Sequence, residues 1–140
     1  MQRRTFIKST CALCTGALFL GAVSASLQSC TTTASVKATV MQNTIAVLPS
    51  DFLEGNALIV KTNSLPFYLL CVRDTDGHYH TVEMKCSHQD QPLNYTGNKL
   101  SCASHGSQFD LNGNVLQAPA NQPLRTFKTL FQNNQIIIQL

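Results

Sequence analysis

The sequence predicts an all-β domain, an antiparallel sandwich or barrel, and two observations carry that prediction. Apolar residues gather in runs of five to seven, separated by turn-forming residues. After residue 40 no segment sustains the 3.6-residue apolar period of an amphipathic helix. Short strands with regular turn signals suit a sandwich or a barrel.

Residues 1–30 read differently from the rest. Arg3, Arg4 and Lys8 precede an apolar stretch from Cys11 to Ala25. A charged start followed by a short apolar run is the pattern of an export leader. The stretch is also short for a membrane span, which needs about 20 apolar residues. Arg3-Arg4-Thr5-Phe6-Ile7-Lys8 resembles the twin-arginine export motif, which implies transport of an already folded protein across the bacterial inner membrane to the periplasmic side. Leu27-Gln28-Ser29-Cys30 resembles a lipobox, so Cys30 is the expected lipidation site and a lipid anchor the expected membrane contact. Gln28 departs from the small residue usual there. Cleavage after Val23-Ser24-Ala25 and retention of the whole leader as an anchor are the competing readings. Cys11 and Cys14 are small apolar filler within the leader. The run that follows, rich in Thr, Ser and Ala, has little to bury, and the expected organisation is a leader over 1–30, a flexible spacer over 31–43 and one domain over 44–140.

Charge and cysteines narrow the function. The net charge of +3 belongs to the leader: three of the ten Lys and Arg precede residue 9, and the remaining seven balance seven Asp and Glu. A near-neutral domain lacks the basic patch that nucleic-acid binding requires. The domain holds three cysteines, Cys71, Cys86 and Cys102, which is no disulfide framework.

Within the domain the expected strands are Thr44–Leu48, Ala57–Lys61, Phe67–Arg73, Tyr79–Met84, Arg125–Leu130 and Gln135–Leu140. Phe67–Val72 is strongly β-forming and expected to be central. Asp74-Thr75-Asp76-Gly77 makes a hairpin of its two flanking runs, and Asn112-Gly113 and Gln132-Asn133-Asn134 are further turns. Cys71, in an apolar strand, reads as a core residue. His78 and His80 read as an exposed polar strand face, and Asp74, Asp76 and Asp110 as turn residues.

The chemistry lies in two short segments: Cys86-Ser87-His88 and, thirteen residues on, Cys102-Ala103-Ser104-His105-Gly106-Ser107-Gln108-Phe109-Asp110. Two Cys and two His suit zinc or iron. Each segment offers one thiolate and one imidazole, which converge only if tight turns present them; Pro92, Gly97 and Gly106 punctuate such turns. Gly106 reads as a place where backbone passes close to a bound group.

These segments resemble the Rieske family, whose pattern is C-x-H in one loop and C-x-x-H-G-S in the other. Phe109-Asp110-Leu111-Asn112-Gly113 resembles the family's following strand and turn. Ala118-Pro119-Ala120 with Pro123-Leu124 resembles its covering loop. The resemblance implies a Rieske-type β fold with a two-loop cluster-binding subdomain. It implies one [2Fe–2S] cluster per chain, with Cys86 and Cys102 on the inner iron and His88 and His105 on the outer. Two neutral imidazoles in place of thiolates raise the potential to roughly −150 to +300 mV, against about −400 mV for plant-type ferredoxins. Rieske proteins of quinol-oxidising complexes carry an extra loop disulfide, whose positions here resemble Gln91 and Ser104, and a tyrosine where Phe109 stands. Ser107 is retained as a donor to sulfide. Losing a hydrogen bond to sulfur lowers the potential, so the middle or lower part of the range is expected.

The expected function is electron transfer between redox protein partners, with no substrate turnover. The competing reading is a small subunit of a larger exported oxidoreductase, arsenite oxidase-like or of cytochrome bc type. A structural zinc site explains neither the His-Gly-Ser-x-Phe-Asp continuation nor folded export. A Rieske oxygenase needs a second, mononuclear iron site of two His and one carboxylate, and the four histidines present do not supply it.

Overall fold

Alternation along the apolar runs distributes side chains to two cores, and the fold follows from that division. The computed structural model describes residues 32–140; the twin-arginine string, the apolar run and Cys30 lie outside the described residues. The strands are β1 (Ala34–Lys37), β2 (Val40–Met41), β3 (Thr44–Val47), β4 (Ala57–Lys61), β5 (Leu69–Arg73), β6 (Tyr79–Glu83), β7 (Leu93–Tyr95), β8 (Leu100–Cys102), β9 (Gln108–Phe109), β10 (Val115–Gln117), β11 (Thr126–Phe127), β12 (Thr129–Gln132) and β13 (Gln135–Gln139). One 3₁₀ turn, Pro49–Phe52, follows β3. Among the described residues no helix is long and apolar enough to cross a membrane.

Three sheets form: β1-β4-β5-β6-β11, β12-β13-β3-β2, and β10-β9-β8-β7. The first sheet lies between the two cores. Leu58, Val60, Leu69 and Cys71 meet Ile45, Val47, Ile136 and Ile138 of the second sheet. Ala57, Leu70, Val72, Val82 and Met84 meet Leu93, Leu100 and Phe109 of the third. Successive residues of a strand face opposite sides. This explains why Leu69-Leu70-Cys71-Val72 is apolar without interruption: β5 is central and covered on both faces. Each fully buried Leu or Ile contributes about 1.5–3 kcal/mol.

The expected hairpin is present. β5 pairs antiparallel with β6, and Gly77, at φ +82°, closes the turn by donating its N–H to Asp74 O at 3.0 Å. Asn133 and Asn134, at φ 50° and 58°, make the two-residue turn between β12 and β13.

Two expectations are corrected. The expected spacer over 31–43 contains two strands: β1 runs parallel to β4, with Ala34 opposite Leu58, and β2 pairs with β3. Its composition hid this because β1 is an edge strand that fully buries only Ala34. The run Arg125–Leu130 is two strands, not one. β11 pairs with β6 in the first sheet and β12 with β13 in the second, so the chain changes sheets at Lys128.

Burial raises the Cys71 pKa from 9.0 to about 11, partly offset by a hydrogen bond with Thr81. An acid whose pKa is higher in the fold keeps its proton there after the unfolded chain has lost its own. The resulting contribution is intact below pH 9 and is lost as pH rises toward 11. Denaturant titrations across this interval therefore show a falling stability, and Cys71→Val removes the share of the slope that belongs to this thiol.

Candidate metal centre

The third sheet exists to present two turns. The first leaves β6: Cys86 N–H donates to Gln91 O at 2.7 Å and Asp90 N–H to Cys86 O at 2.9 Å. The second joins β8 to β9: Cys102 N–H donates to Ser107 O at 2.9 Å and Gly106 N–H to Cys102 O at 3.0 Å. The two turns share one hydrogen-bond pattern, with a cysteine first and a left-handed residue fifth: Asp90 at φ 53° and Gly106 at φ +80°. Such a φ favours glycine, and Asp tolerates it better than most residues. The pairing of β7 with β8 sets Leu93 opposite Cys102, and a bridge between Lys85 and Pro92 closes the base of the first turn. The turns thereby lie side by side.

The structure brings the expected ligands together in two pairs, Cys86 with Cys102 and His88 with His105. Cys86 and Cys102 are buried and belong to the apolar core that contains Phe109, Leu100 and Leu93. Burial opposes the Cys102 thiolate. The N–H groups of His105 and Ser104, the Cys86 thiol and the Ser104 hydroxyl together outweigh it, and its pKa is lowered. The thiols touch each other on the inner side. On the outer side the rings of His88 and His105 meet edge to face, centroids 4.9 Å apart at 86°. Among the described residues no three His, Cys, Asp or Glu converge on one point; the ligand-type side chains pair two and two.

The residues present fit a bound cluster. Nδ1 of His88 is buried and has no hydrogen-bond partner. Leaving such an atom unsatisfied costs about 1–3 kcal/mol, and a metal bond removes that cost. Sulfur and imidazole nitrogen are the donors that Rieske irons take.

A covering loop packs over both turns. The Gln117 amide Nε2 donates to Gly106 O at 2.9 Å, Ala120 N–H to Ser107 Oγ at 3.0 Å, and Ser87 Oγ–H to Gln122 O at 2.6 Å. Ser107 is fully buried, and accepting from Ala120 leaves its own proton for a further acceptor. Pro119 lies exposed in this loop, and Phe109 fills the core beneath the thiols. Gly106 stands at a backbone angle that favours glycine, and the nearest protein atom to a Cβ there is Gln117 Nε2 at 3.7 Å.

Reading the sequence alone missed Ser87, Gln117 and Gln122. Their partners lie 35, 11 and 35 residues away, and no local pattern marks them. His80 is also more than an exposed polar residue. Its ring reaches Asp74 Oδ1 at 3.3 Å through Nδ1 and Leu111 O at 3.0 Å through Nε2, joining the far hairpin to the turn after β9. Asp110 is a turn residue, as expected: Asn114 N–H donates to its Oδ1 at 2.8 Å.

Comparison with known proteins gives a consistent answer. A family model described as the Rieske [2Fe–2S] domain matches residues 35–128. The ferredoxin component of a naphthalene 1,2-dioxygenase system from Pseudomonas putida is 27% identical over 99 residues, covering 68% of this chain and 92% of that protein. The crystal structure of a cyanobacterial plasma membrane Rieske protein from Synechocystis superposes with a TM-score of 0.53 at 26% identity, covering 61% of this chain and 87% of that one. A ferredoxin–oxygenase complex of carbazole 1,9a-dioxygenase matches with a TM-score of 0.55 at 21% identity, covering 71% and 94%, a likeness of fold.

Ser107→Ala leaves the Ala120 N–H without its buried acceptor. The expected cost is about 1–3 kcal/mol, with faster amide exchange confined to the covering loop. Uniform acceleration over the whole domain would show that the hydroxyl holds no local tie.

Proposed function

Because this chain belongs to the Rieske [2Fe–2S] domain family, we propose that it is an exported one-electron carrier holding its single cluster on Cys86, His88, Cys102 and His105. The observation that carries this reading is the two-and-two pairing: thiols together on the dry side, imidazoles together on the wet side. Two irons need two such pairs, whereas one tetrahedral zinc needs all four donors around a point. A bound cluster would supply uptake and release of one electron. Cys86 and Cys102, against the apolar core, would hold one iron, and His88 and His105, at the rim, would hold the other. The covering loop excludes water from the sulfur side, and Ser107 has a hydroxyl proton available to a sulfur.

The match supports a free carrier. The chain spans 92% of the naphthalene dioxygenase ferredoxin component, so that likeness is to a whole ferredoxin component. Donor and acceptor are redox proteins that approach the histidine rim. The leader carries the folded domain to the periplasmic side, and lipid on Cys30 keeps it at the membrane.

Electron paramagnetic resonance during a redox titration tests the centre. The reduced protein shows the low average g of a mixed His/Cys cluster, with a midpoint between roughly −150 and +300 mV and below the top of that range. Cys86→Ser abolishes the signal. A colourless, silent zinc protein would refute the assignment. The anchor is tested separately by fractionating cells: Cys30→Ser moves the protein from membrane to soluble fraction, and persistence at the membrane would refute lipidation there.

A further inference from the structure

The rim around the histidines carries little charge. Residues 86–92, 102–107 and 115–123 form the two turns and the covering loop, and Asp90 is the one acidic or basic side chain in them apart from the four expected ligands. Its carboxylate lies 3.0 Å from Lys85 Nζ. The exposed surface is instead amide and alkyl: Gln89, Gln91, Asn121 and Gln122 are exposed, and so is Leu116, at 58%. The nearest other charges cancel or turn away. A groove below Ser87 and Pro123 is lined by Glu83, Lys85, Asp90 and Arg125, two of each sign. Arg125 lies over the Phe127 ring at 4.5 Å, Lys85 also faces the Phe67 ring, and Lys99 Nζ is held by Gln108 Oε1 at 2.9 Å.

We infer that this face docks a redox protein whose own contact surface is uncharged. The inference rests on the carrier reading above and adds the chemistry of the partner. A charged face gains nothing here and must shed water from its ions against a neutral surface. A neutral face loses little and buries Leu116. Association is then set by shape and small apolar contacts, without the electrostatic steering that accelerates charged pairs 10- to 1,000-fold.

The test uses the reduced holoprotein and two small oxidants of opposite charge, hexacyanoferrate(III) and tris(1,10-phenanthroline)cobalt(III). Stopped-flow rates are followed from about 10 to 200 mM ionic strength, over which the screening length falls from about 30 Å to under 10 Å. Both rates change by no more than about fivefold, the dependence that the single negative charge of the reduced centre supplies. The double variant Gln89→Glu/Gln122→Glu steepens the rise of the anion rate and the fall of the cation rate with salt by at least about a further threefold. Gln132→Glu, on the β12–β13 hairpin, leaves both profiles as in the unaltered protein. Steep opposite slopes in the unaltered protein overturn the inference alone, as does a double variant that behaves like Gln132→Glu. A protein with no reducible cluster in the resonance experiment overturns the carrier reading and this inference with it.

Discussion

The hydrogen-bond pattern shared by the two cysteine turns is the constraint on which the rest depends. In each turn the cysteine N–H and C=O are both consumed within six residues. That fixes the direction of the side chain before any metal is considered. Because β7 and β8 pair with Leu93 opposite Cys102, the two turns sit in register, and both sulfurs face the same core. The histidines sit two and three residues after their cysteines, at the crowns of the turns. The same backbone device therefore separates the donors by type, sulfur inward and nitrogen outward. Reorganisation around the site is limited by the same bonds, because moving either cysteine breaks two backbone hydrogen bonds at once.

Much of this was legible in the sequence, for reasons that differ by element. The central hairpin was readable because β5 is apolar on both faces and Asp74–Gly77 can only turn. The four candidate donors were readable because their spacing, with Gly106-Ser107 after His105, matches a family pattern. What was hidden lacks local signals. β1 buries a single alanine fully and looks like a tether. Strands β9 and β11, each two residues long, owe their state to their partners rather than to propensity. The exchange of sheets at Lys128 is invisible because no Gly, Pro or Asn marks a break in the run Arg125–Leu130. The equivalence of Asp90 and Gly106 was obscured because only one of them is glycine.

The covering loop shows how a polar segment can serve a dry site. Its three bonds use one group of the first turn, Ser87, and two of the second, Gly106 and Ser107, and Asn121 and Gln122 keep exposed amides for water or a partner. Inner order and outer adaptability are thus divided between the two sides of one strand of chain. This arrangement allows the site to be closed on the sulfur side without burying the imidazoles.

The early strand has a mechanical consequence. The chain enters the fold at Thr32–Ala34, beside Gly55, Asn56 and the tip of the β7–β8 hairpin at Tyr95–Gly97. That tip is the end of the hairpin remote from Cys102. Anything attached upstream of Thr32 holds the domain by its heel. A pull from that side runs along β1 and loads its ladder with β4 in shear, and the histidine crowns swing at the free end, away from the tether.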